Sequence, residues 1–175
     1  DDTLRIIMLD ATSPLRHTRG KVNLARARRL FEKKPRRPHQ ITLVAVHQPL
    51  VLALQKDLEN LLIDANATAQ FFAGQQTDIV LSGHVHIPVI TTTEKHYPDL
   101  PRQFIISGSG TATSHRTRPC YPNAFNAICL VNEKEIHIAL WQYYAASATF
   151  QQKTRQHFHC TPQGWQGSTL ATPIS

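Results

Sequence analysis

At 175 residues and 41% apolar content, the chain can bury one sizeable core, and no run approaches the eighteen apolar residues of a membrane span. The formal net charge of +7 sits in one segment: residues 1–40 hold eleven Lys and Arg against four Asp and Glu, while the rest balance at eight of each. Three cysteines (Cys120, Cys129 and Cys160), with no Cys-x-x-Cys pair, argue against a disulfide framework and for a reducing, cytoplasmic compartment.

Leu4-Arg-Ile-Ile-Met-Leu predicts a strand that ends at Asp10. After a polar loop and Gly20, Asn23 is the expected N-cap of a helix whose apolar side is Leu24, Ala27, Leu30 and Phe31. Arg26, Arg28, Arg29 and Lys33 fall mostly on the other side. The basic 16–37 segment would suit an anionic partner such as nucleic acid, but a solvated helix face explains it more simply. Pro35 and Pro38 close the helix, and Ile41-Thr-Leu-Val-Ala-Val predicts a buried strand ending in His47-Gln-Pro49. Leu50 to Ile63 has no clean period and reads as a loop with a helical turn. Asp64 is the expected N-cap of a helix with Ala65, Ala69 and Phe72 on its inner stripe and Gly74 as its stop.

The apolar run Ile79-Val-Leu81, preceded by Asp78, predicts a second buried strand that runs into Ser82-Gly-His-Val-His86. On an extended backbone, His84 and His86 would leave on the same side, with Gly83 sparing the backbone a Cβ beside them. Strand, helix and strand make a β-α-β unit, and sites in such sheets gather at the carboxyl ends of the strands. His47, His84 and His86 are therefore expected to converge. Imidazole suits borderline divalent metals, although half-exposed strand-end residues would have the same sequence.

Beyond the histidines, residues 88–93 predict a short strand, and 103–107 another that runs into Gly108-Ser-Gly110. His115, Arg116 and Arg118 follow in a loop, where His115 and Arg116 are candidates to meet an anionic substrate. Residues 124–131 and 135–141 predict a hairpin, and 143–158 a polar edge strand. His157, His159 and Cys160 suggest a second metal cluster, but no fourth ligand stands at zinc spacing. The domain is expected over residues 1–160, with 161–175, including Trp165, as a loosely ordered tail.

The two histidine motifs, Val46-His-Gln-Pro49 and Gly83-His-Val-His86, resemble in order and spacing the last two metal motifs of the calcineurin-like metallophosphoesterases. The overall look is closest to their bacterial cyclic-nucleotide phosphodiesterase branch. Phe125-Asn126 also resembles that family's closing hairpin. The resemblance implies an α/β fold: the second half of a four-layer α/β-β-α domain, a partial β-sandwich with flanking helices. It implies phosphoester hydrolysis, more by phosphodiesterase than by monoesterase chemistry, at two divalent ions (Mn²⁺, Fe²⁺/Fe³⁺ or Zn²⁺). Positions matching His47 and His84 hold one ion, and that matching His86 holds the other. Two such ions ~3.5–4 Å apart supply a hydroxide nucleophile and neutralise phosphoryl charge. The family's Asp-x-His, Gly-Asp-x-x-Asp and Gly-Asn-His-Asp/Glu motifs do not occur here. The resemblance therefore covers the C-terminal half alone and implies an N-terminal half as partner. Asp10 is by the same resemblance a strand-end residue, not a ligand.

Overall fold

A computed structural model of the chain describes residues 2–12 and 19–168. It is a mixed α/β structure with two sheets. The first sheet has the order β1-β2-β3-β5-β4, formed by β1 (Leu4–Leu9), β2 (Ile41–Val46), β3 (Ile79–Ser82), β4 (Val89–Thr92) and β5 (Ile105–Gly108). Neighbours β1, β2, β3 and β5 are parallel, and β4 returns antiparallel beside β5. The second sheet is an antiparallel meander, β6 (Ala124–Asn132), β7 (Glu135–Tyr144), β8 (Thr149–Thr161) and β9 (Gly164–Gly167).

Alternation along the strands of the first sheet builds two cores. On one face Ile7, Val44, Val46, Val80 and Ile106 pack under α1 (Leu24–Lys33) and α2 (Ala65–Gly74), which contribute Ala27, Phe31, Ala69 and Phe72. On the other, Ile41, Leu43, Ile79 and Ile105 meet Ile136, Ile138, Phe158 and Trp165 of the second sheet. The result is helices, sheet and sheet in three layers. Asn23 caps α1 as expected, its side chain accepting from the Arg26 N–H. Among the described residues no helix is long and apolar enough to cross a membrane.

Some local expectations need correcting. Asp64 makes no side-chain cap on α2; it has left-handed φ (57°) and its carboxylate pairs with Lys21 instead. Gly74 ends α2 as expected, and the left-handed residue that follows is Gln76. The strand expected over 143–158 starts at Thr149 and is interior, because a further strand, β9, pairs with it. Residues 161–168 are thus part of the fold, and Trp165 is fully buried; residues 169–175 lie outside the described part. Gly164 makes this return possible. Its φ is +106°, and a Cβ there would lie 2.2 Å from the Gln103 carbonyl oxygen, where the β8–β9 turn meets the first sheet.

Asp78 fixes the junction of these layers. Its buried carboxylate accepts from the Thr42 N–H (2.7 Å), the Trp165 indole (2.8 Å) and Arg102 (2.7 Å), and pairs with Arg36 (3.2 Å). Removing one partner of such a buried network leaves the other charges uncompensated. Asp78→Ala is expected to cost about 3–5 kcal/mol in urea unfolding; a loss below about 1 kcal/mol would show that the cluster does not hold the layers together.

Candidate metal centre

The parallel strands end together, so Asp10, His47, Gly83 and Ser109 follow Leu9, Val46, Ser82 and Gly108 at one edge of the first sheet. The structure brings His47 and His84 together there, from strands 37 residues apart: Nδ1 of His84 lies 3.1 Å from Nε2 of His47. The rings meet edge to face, with centroids 4.9 Å apart. The backbone couples the same two segments, because the Gly83 N–H donates to the His47 carbonyl (3.1 Å).

The way the histidines are presented differs from the expected extended backbone. β3 stops at Ser82, the Val85 N–H closes a three-residue turn onto the Gly83 carbonyl (2.8 Å), and His84 and His86 have left-handed φ (67° and 58°). Val85 and Ile87 are buried while His84 and His86 are half-buried, so the alternation survives in a tighter chain. Two non-glycine residues with positive φ within three positions cost about 1–3 kcal/mol of backbone strain each, as do His39, Asp64, Gln76, Cys120 and Ala148 elsewhere in the fold. Gly83 does not relieve a clash: a Cβ there would meet only Ser109 Oγ, at 3.9 Å.

Partners that the sequence did not reveal orient the rings. Asn60, at the end of a short 3-10 helix (Gln55–Asn60), places its side-chain oxygen 3.2 Å from His84 Nε2. That contact makes Nε2 the N–H nitrogen and leaves Nδ1 as the lone-pair nitrogen facing His47. His86 donates through Nδ1 to the Arg116 carbonyl (2.9 Å), which directs its basic nitrogen, Nε2, away from that loop. The loop is clamped in turn: Arg118 bonds the Val85 carbonyl (3.2 Å) and pairs with buried Asp57 (3.0 Å). Nothing local in the sequence marks Asn60 or Asp57. Asn126 ties the second sheet to the same edge by donating to Ser107 Oγ and the Gly108 carbonyl.

Arg116 thus contributes its backbone carbonyl over the site, and its side chain, like that of His115, is exposed. Asp10 is exposed and turned onto Thr12, whose hydroxyl and backbone N–H hold its carboxyl below the usual carboxylate range. Among the described residues, His47, His84 and His86 do not form a group with all ligand atoms within 4.8 Å of one another. The His47–His84 separation suits two nitrogens on one ion, whereas His86 stands apart from that pair. Two imidazoles could supply two ligands to an ion, and among the described residues no carboxylate completes a group of three with them. His157 and His159 lie on the outer face of the second sheet, and Cys160 points to the core, so those three do not converge. The chain matches no protein-family model and no curated protein significantly.

The strain at His84 has a measurable sign. At ordinary positions Ala is more stable than Gly by about 0.5–1 kcal/mol. At His84 the order should invert, with His84→Gly more stable than His84→Ala by about 1 kcal/mol. The ordinary order in denaturant unfolding would mean that the left-handed turn is not held in solution.

Proposed function

We propose that this chain carries the histidine half of a dinuclear metal site that hydrolyses phosphoric esters, as in the calcineurin-like metallophosphoesterases. The observation that carries the reading is the 3.1 Å approach of His84 to His47 at the carboxyl edge of a parallel sheet. In this reading His47 and His84 hold one ion through Nε2 and Nδ1, and His86 serves the other. The ions, when bound, would supply a metal-activated hydroxide and charge compensation for the phosphoryl oxygens. Asn60 and the Arg116 carbonyl set the tautomers of His84 and His86, while His47, whose Nε2–H faces the His84 Nδ1 lone pair, would carry its proton on Nδ1 when it binds an ion. Arg116 and His115, exposed in the loop whose carbonyl bonds His86, would be the residues to meet the anionic ester.

Among the described residues no carboxylate completes a group of three ligands with these histidines, Asp57 being paired with Arg118 and Asp10 turned onto Thr12, so in this reading another segment would supply the carboxylates. The surface beside the site suits a covering segment. β1 is an edge strand with Ile6 56% and Met8 77% exposed, and a groove of about 380 Å³ runs from Met8 past Ala45 and Leu81 to His47 and Ser109. In this reading the segment that brings the carboxylates would cover Ile6 and Met8.

The alternative, an interaction module working through the basic 16–37 segment, has weaker support. Arg26, Arg28, Arg29 and Lys33 are exposed, but Lys21, Arg36 and Arg37 are each paired with a carboxylate in the fold. Residues 16–18 lie outside the described part.

Release of nitrophenol from bis-nitrophenyl phosphate with Mn²⁺ tests the proposal. The chain alone should give background rates. Joined in one polypeptide to a segment bearing the carboxylate motifs, it should turn over, and His84→Ala should then reduce the rate by at least about 100-fold. Turnover by the lone chain that survives His84→Ala would place the chemistry elsewhere.

A further inference from the structure

We propose a second, separate metal site on the outer face of the second sheet, built by Glu135, His137 and His157, for a borderline divalent cation of the Zn²⁺ type. The placement follows from register. His137 on β7 stands directly opposite His157 on β8, and Glu135 is two residues before His137, so the three side chains share one face. One ligand atom from each lies within 4.8 Å of the other two. The imidazoles stack with centroids 4.0 Å apart and planes 27° from parallel, and His137 Nε2 is 2.7 Å from Glu135 Oε1.

Tetrahedral Zn²⁺ places its ligand atoms roughly 3.3–3.5 Å apart. To close on an ion the stacked rings would rotate apart so that their nitrogens converge, and the ion would replace the hydrogen bond between His137 and Glu135. Two nitrogens and one carboxylate oxygen favour Zn²⁺, Ni²⁺ or Cu²⁺ over Mg²⁺ or Ca²⁺. Three protein ligands leave a coordination position open. Concave surface lies on both sides of the cluster: a depression of about 660 Å³ reaches Glu135 and His157 from the Asn132–Lys134 turn, and another of about 250 Å³ reaches His137 from Cys129 and Trp141. The site is cross-strand, unlike the run of His157, His159 and Cys160 suggested by the sequence. An ion there would brace β7 to β8, independently of the sheet-edge histidines.

The test is calorimetric titration of the full chain with Zn²⁺, using His47→Ala/His84→Ala protein so that the sheet edge does not contribute. One equivalent should bind, raising the melting temperature, and Mg²⁺ at the same concentration should do neither. Adding His157→Gln should weaken binding at least about 10-fold. Glu135→Gln, which keeps a hydrogen-bonding group beside His137, should also weaken it, while His159→Gln should leave it within about threefold. Circular dichroism confirms that each variant folds. Absence of saturable Zn²⁺ binding, or binding indifferent to both His157→Gln and Glu135→Gln, would overturn the proposal.

Discussion

The architecture depends on one buried carboxylate. Asp78 is 1% exposed, and each of its oxygens faces two donors: Thr42 and Arg36 on one, Arg102 and Trp165 on the other. Taking a carboxylate out of water costs several kcal/mol unless its lone pairs are met. Here they are met by groups from β2, from the chain after α1, from the loop before β5 and from β9. The same residues that satisfy the charge therefore fix how the helical layer, the first sheet and the second sheet stack.

Asp78 precedes β3, and the strained Gly83–His86 turn follows it, roughly 13 Å away along four extended residues. One end of the strand is held by charge, and the other presents imidazoles. Left-handed φ at His84 and His86 persists because its neighbours are fixed: Val85 and Ile87 are buried, Gly83 is bonded to the His47 carbonyl, and Ser109 to the Ser82 carbonyl. If they bind an ion as proposed, imidazoles already held in place would lose less conformational freedom on binding.

The sequence made much of this legible where the physics is local. Apolar runs marked β2 and β3, the Asn23 cap marked α1, and parallel connection brought His47 and His84 to one edge. The rest depends on contacts between residues far apart in the chain. Trp165 stands among Gly, Ser and Thr, and it is buried by the core between the two sheets, with its indole bonded to Asp78, 87 residues earlier. Asn60 and Asp57 sit in a segment without period, and they matter only because the fold carries that loop to His84 and Arg118. Spacing along β7 puts Glu135 and His137 on one face, but only the register across β7 and β8 brings His157 to them. The left-handed turn at Gly83–His86 was illegible for another reason, since histidine carries only a modest preference for that conformation.

The central claim is that His47 and His84 form the nitrogen side of a metal site before any other ligand is present. Side-chain ¹⁵N nuclear magnetic resonance of the histidines during substoichiometric Mn²⁺ addition tests it most directly. Paramagnetic broadening should strike His47 and His84 first and leave His39 and His96 sharp. Uniform broadening of all four, or none at His47 and His84, would contradict it.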